Sequence, residues 1–284
     1  MPQPRKRFAQ HWLKSEKALS QIVTAASLSA TDRILEIGPG TGNLTRQLLP
    51  LVQSLLAVEL DRDLCEYLVK KLGQKDNFLL VQGDFLSLDL ETQIAPFPAF
   101  QNPKKVVANI PYNITGPILE KLLGTISEPA PNPYDLIVLL VQKEVAERLY
   151  AKPGSKAFGA LSVKVQYLAS CELIAHVPAS AFQPPPKVDS AIVRLRPQTP
   201  KLPAQNPKLL DNLLKMGFSS KRKMLRNNLA GVIERDDFNK ILEQLNLNPQ
   251  FRAEDLSVTD WVTLSNIINE TKQSPVLASL ISPP

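Results

Sequence analysis

The 284-residue chain carries 33 Lys and Arg against 27 Asp and Glu, a formal charge of +6, and is 44% apolar. That length and apolar content suit one large domain plus a smaller one rather than a disordered chain, and the basic balance makes an anionic partner plausible. No apolar run near the start could serve as a signal-peptide core and none approaches the roughly 18 residues that span a bilayer, so a cytoplasmic protein with no membrane partner is expected.

Cys65 and Cys171 stand alone, without Cys or His neighbours at ligand spacing, which argues against a disulfide framework and a metal site. The charge is uneven along the chain. Residues 1–20 hold Arg5, Lys6, Arg7, Lys14 and Lys17 against Glu16 alone, and residues 215–226 hold Lys215, Lys221, Arg222, Lys223 and Arg226 with no acid, so two basic patches are expected.

Short Ile, Leu and Val runs at 34–37, 55–58, 78–82 and 105–108, each ending in a turn and followed by a helical pattern, predict an alternating α/β fold with a parallel sheet. The first runs into Gly38-Pro-Gly-Thr-Gly42, a glycine-rich turn that opens a helix near Asn43 and lets a ligand approach the backbone. Glu59 closes the second, about where a carboxylate reaches ribose hydroxyls in nucleotide-binding α/β folds; Asp84 closes the third, and Asn109 the fourth. Ligands bind outside the carboxyl ends of such strands, so Gly38, Glu59, Asp84 and Asn109 should converge on one crevice. No Lys-Ser/Thr pair follows the glycines, so the nucleoside triphosphate pattern is absent and a ligand with ribose and adenine but no phosphate is expected.

Asn109-Ile-Pro-Tyr112 follows the fourth strand. One group such a turn would suit is the exocyclic amine of adenine, a poor nucleophile because its lone pair is delocalised into the ring. A catalyst should accept hydrogen bonds from its N–H groups, as Asn109 Oδ1 and a backbone carbonyl of the turn can, while Pro111 stiffens the turn. Tyr112 would stack on the target base, which must leave its RNA stack to react.

Further strands are expected at 135–141, 173–177 and 188–195, with helices at 143–150 and 161–169. The prolines at 197, 200, 203 and 207 predict an extended linker and a domain boundary near residue 200. Beyond it the pattern is helical, with Leu214, Phe218, Leu225 and Leu229 on one face; Gly217 and Ser219-Ser220 should break it into two helices.

The glycine turn with Glu59 and Asp84 resembles the class I S-adenosylmethionine methyltransferases. The wider set of blocks resembles the small-subunit ribosomal RNA adenine dimethylase family: residues 8–13, Leu35–Gly42, Val58–Arg62, Gly83-Asp84, Asn109–Ile114, Val141–Val145, Val177–Ser190 and Phe218–Leu229. That resemblance implies a Rossmann-like catalytic domain over 1–200 and a helical RNA- or ribosome-binding domain over 201–284. It implies S-adenosylmethionine as cofactor and dimethylation of N6 on two adjacent adenosines in the 3′-terminal stem-loop of 16S rRNA, in the assembling small subunit, by a monomer. It puts His11, Leu13, Gly38, Gly40, Glu59, Asp84 and Asn109 at the cofactor and makes Phe182 a second stacking wall opposite Tyr112. Lys221, Arg222, Lys223 and Arg226 would hold RNA phosphates. Trp12 stands where the family usually has Phe, Ala9 where Gly is common, and Ile110 where Leu is more usual. The alternatives are a large-subunit rRNA adenine methyltransferase, a non-catalytic RNA-binding assembly factor, and a DNA or protein-amide methyltransferase.

Overall fold

A computed structural model describes residues 2–5, 10–131 and 134–273. Lys6, Arg7, Phe8 and Ala9 lie outside the described residues. The chain forms two compact units, one of Met1–Gly124, Ala130–Ala146 and Ser170–Pro197, the other of Thr125–Pro129, Glu147–Ala169 and Gln198–Pro284.

In chain order the elements up to the linker are β1 (Trp12–Leu13), α1 (Glu16–Ala26), β2 (Arg33–Ile37), α2 (Thr45–Leu48), β3 (Ser54–Glu59), α3 (Arg62–Leu72), β4 (Phe78–Gln82), α4 (Leu90–Ile94), β5 (Lys105–Asn109), α5 (Thr115–Leu123), β6 (Leu136–Gln142), α6 (Lys143–Leu149), α7 (Ala160–Leu168), β7 (Ala169–Val177), β8 (Phe182–Gln183) and β9 (Ser190–Pro197). Seven strands form one sheet in the order β4-β3-β2-β5-β6-β9-β7. The strands from β2 to β6 pair in parallel, and β9 runs antiparallel to β6.

The apolar runs explain this layering. Leu55 to Val58 and Val106 to Ala108 are buried at every position, as strands covered on both faces must be. On α1, Ser15 accepts a hydrogen bond from the Ala18 N–H as N-cap, and Leu19 and Ile22 go into the core, each such side chain contributing about 2 kcal/mol. The sheet order turns back at β2 and β5, and the gap between their carboxyl ends is the topological switch point at which α/β sheets bind ligands.

The helical turn after the glycines opens near Asn43, as expected: the Arg46 N–H donates to Gly42 O at 3.0 Å and α2 continues from Thr45, while Asn43 Nδ2 donates to Leu13 O and its Oδ1 accepts from Arg46.

Among the described residues the second unit contains α7 and four further helices, α8 (Pro207–Gly217), α9 (Leu225–Asn228), α10 (Arg235–Gln244) and α11 (Val258–Gln273). Pro207 does not extend the linker but opens α8 behind the Asn206 cap, a first-turn position where the missing N–H costs nothing. The break after Gly217 falls where the sequence places it, with a second reason. A Cβ on Gly217 would lie 2.4 Å from Trp261 Cη2, so glycine lets the buried indole close on the helix end. That α7 belongs with these helices has no signature in local periodicity. It depends on pairings such as the Tyr167 hydroxyl accepting the Ala204 N–H at 3.0 Å. Among the described residues no helix is long and apolar enough to cross a membrane, and no cluster of His, Cys, Asp and Glu could hold a metal ion.

Candidate active site

The carboxyl ends of β2, β3, β4 and β5 enclose a cavity of about 260 Å3 within the first unit. Gly38, Gly40 and Gly42 all have positive φ. At Gly40 (φ +59°) a Cβ would also lie 3.2 Å from Trp12 Cδ1, so both the left-handed turn and the close approach of the indole demand glycine. A Cβ on Gly38 would lie 3.9 Å from Asn109 O and 4.0 Å from Pro111 Cδ. The glycine turn and the Asn109–Tyr112 turn are therefore neighbours across the mouth between β2 and β5.

Glu59, 7% exposed, accepts hydrogen bonds from the Gly40 N–H (3.1 Å) and the Asp61 N–H (2.9 Å), tying the second strand to the glycine turn. Burial raises its pKa, and those two N–H groups counter only part of the shift. Asp84 is exposed and lines the cavity, with Oδ1 accepting the Leu86 N–H. Asn109 gives Nδ2 to the His11 carbonyl at 3.3 Å, which leaves its Oδ1 as the acceptor it can offer. Leu13 is buried, lines the cavity, and its carbonyl accepts from Asn43.

Tyr112 is half-buried. Its hydroxyl hydrogen-bonds the Ser190 hydroxyl at 2.6 Å, and burial raises its pKa. The ring beside it is not Phe182. His11 stacks on Tyr112, centroids 5.9 Å apart and planes 19° off parallel, and its Nδ1 lies 2.8 Å from Pro184 O. Phe182, expected as the second wall, is 1% exposed in the hydrophobic core, opposite Leu13 in the small β1–β8 sheet, and does not line the cavity. An aromatic in a two-residue strand faces either way, and the core took this one.

Two cavity residues with unpartnered polar atoms had no role assigned from the sequence. Glu36, 1% exposed, has an Oε2 without a hydrogen-bond partner among the described residues, and burial, with repulsion from Glu59, raises its pKa from 4.5 to about 8. An acid inside the otherwise apolar Ile34–Ile37 run was the available signal. Trp12 Nε1 is likewise buried without a partner among the described residues.

Among the described residues the lining includes Glu36, Glu59 and Asp84 but no Lys or Arg. Such a cavity repels phosphate and favours a cation. An orphaned acceptor and an orphaned N–H donor further suit a nucleoside that carries a zwitterionic amino acid and a positive sulfur.

The basic residues fare unequally. Arg5 is paired with Asp61 at 3.1 Å and with Asp63, so it does not contribute a free cation to an N-terminal patch. In the second unit Lys215, Lys221, Arg222 and Lys223 are exposed, whereas Arg226 is partly buried with no hydrogen-bond partner at Nε among the described residues.

Residues 1–270 match the family model for ribosomal RNA adenine dimethylase. The chain belongs to that family. It is 69% identical over 268 residues to the ribosomal RNA small subunit methyltransferase A of Trichormus variabilis, covering 94% of this chain and 99% of the relative, and 62% identical to that of Rippkaea orientalis, covering 94% and 98%. Among solved structures it resembles a dimethyladenosine transferase from Plasmodium falciparum (TM-score 0.76, 29% identity, covering 92% and 98%). It also resembles the 23S rRNA methyltransferase ErmE (TM-score 0.71, 25% identity, covering 91% and 99%). The α/β methyltransferase fold and the family expected from the sequence blocks are both met.

Proposed function

We propose that the protein dimethylates N6 of two adjacent adenosines in the 3′-terminal stem-loop of 16S rRNA, using S-adenosylmethionine, in the assembling small subunit. It does so as a cytoplasmic monomer. The observation that carries this reading is the contact of the glycine turn with the Asn109–Tyr112 turn, which brings a nucleoside cradle and an amine-accepting turn to one cavity mouth. The small-subunit relatives at 69% identity favour that substrate over the large-subunit RNA named for the 25% identical ErmE.

When bound, S-adenosylmethionine supplies an electrophilic methyl group on a positively charged sulfur. Gly38 and Gly40 give its backbone-close bed, Glu59 accepts from ribose hydroxyls, Asp84 faces the adenine, and His11 and Leu13 close the amino-acid end. Asn109 Oδ1 and a carbonyl of the turn accept the N–H groups of the target amine as positive charge develops on nitrogen. Tyr112 stacks on the flipped base and fixes its plane, so that orientation supplies much of the acceleration. No side chain needs to act as a strong base, because the amine loses its proton only after it has become cationic. Lys221, Arg222, Lys223 and Arg226 hold RNA phosphates without reading sequence.

The test is transfer of labelled methyl groups to unmethylated small subunits, mature large subunits and naked RNA. Transfer to the small subunit is expected to exceed both others; preference for large subunits would overturn the substrate assignment.

A further inference from the structure

We propose that Ser190 is a positioning residue for methyl transfer, its hydroxyl fixing the plane of the Tyr112 ring on which the target adenine stacks. This rests on the stacking role assigned to Tyr112 above.

The turn sets only the Tyr112 backbone. Rotation about χ1 and χ2 would still sweep the ring face across the cavity mouth. The hydrogen bond at 2.6 Å removes that freedom by anchoring the far end of the ring. Its anchor is rigid. Ser190 is fully buried at the start of β9, opposite Gln142 of β6. The preceding residue is held twice, with Asp189 Oδ1 accepting the Ala179 N–H and Asp189 O accepting the Lys143 N–H, both at 3.0 Å. The next three positions, Ala191, Ile192 and Val193, are buried and apolar, so the serine is the one polar side chain in that stretch of core.

The phenol has no chemical task in this arrangement. Burial keeps it neutral, and the charge of Asp189 acts in the same direction, so the oxygen keeps a proton to share with Ser190. A base stacked on a ring tethered at both ends meets the acceptor of Asn109 in one orientation only. A misplacement of about 1 Å at such a centre costs up to about a hundredfold in rate.

The test is a double-variant cycle on methyl transfer to unmethylated small subunits, with cofactor affinity measured separately by calorimetry. Ser190→Ala and Tyr112→Phe should each lower kcat about tenfold, the scale of one lost hydrogen bond, with cofactor affinity unchanged. Combining them should lower it no further, because both remove the same bond. Ser190→Thr, which restores a hydroxyl, should recover most of the rate. Full losses adding in the double variant, or a normal rate in either single variant, would overturn the proposal. Should Ser190→Ala fail to fold, Tyr112→Phe alone decides, since only the hydroxyl is removed. Tyr112→Ala separates the two readings: full activity there removes the stacking role itself, whereas loss there beside a normal rate in Tyr112→Phe overturns only the tether.

Discussion

Asn109 donates its side-chain amide to the backbone carbonyl of His11 at 3.3 Å, although the two residues are 98 positions apart. The N-terminal segment thus chooses which end of the amide is left for substrate, since with Nδ2 committed only Oδ1 remains. Asn109→Ala should leave cofactor binding largely intact and cut transfer at least about a hundredfold, the usual scale for one transition-state hydrogen-bonding group. Single-turnover methylation with calorimetric cofactor affinity checks both halves, and near-normal turnover would refute the role.

Glu36 makes the cavity sensitive to pH. Its pKa is raised in the folded protein from 4.5 to about 8, so the native state holds a proton that the unfolded chain releases between those values. The stabilisation is complete below the unfolded value and is lost as pH rises through 8; Glu59, shifted the same way, adds to it. The cofactor-free protein should therefore lose roughly 2 to 4 kcal/mol of stability from pH 5 to 8, and Glu36→Gln should flatten most of that slope. Thermal unfolding across that range measures it.

The same residue predicts proton release on binding. A cationic ligand in the cavity favours the ionised carboxylate, so affinity for S-adenosylmethionine should rise from pH 6 to 8 as each binding event expels a proton. Calorimetry in buffers of differing ionisation enthalpy reads the proton number directly. A pH-independent affinity in the wild type would contradict the electrostatic account.

Gly217→Ala tests the second unit. The added methyl meets Trp261 Cη2 at 2.4 Å, and the indole, fully buried, has little room to retreat. Destabilisation of about 1 to 3 kcal/mol is expected from overpacking, visible in urea unfolding. Cofactor affinity should be untouched.

Charge reversal at Arg222 and Lys223, both exposed, should slow methylation of small subunits and reduce its dependence on salt while leaving cofactor affinity unchanged. A large fall in cofactor affinity would contradict the division of labour between the units.

The sequence by itself determined the seven strands of the main sheet, though not the short β1–β8 pair, together with the glycine turn and the order of the acids behind it. These are local: buried parallel strands need unbroken Val, Leu and Ile, and a left-handed turn against a neighbour needs glycine, so composition and spacing carry them. It also carried the family, because blocks such as Asn109–Ile114 keep their order along the chain. Tertiary structure alone decided the partners of each side chain. That Ser190 meets Tyr112, that His11 rather than Phe182 lies beside that ring, that Arg5 is spent on Asp61 and Asp63, and that α7 joins the C-terminal helices are contacts between distant segments. No periodicity encodes them, because a residue's own stretch of chain fixes its backbone and exposes its chemistry, while the packing of other segments selects which of its atoms remain free to act.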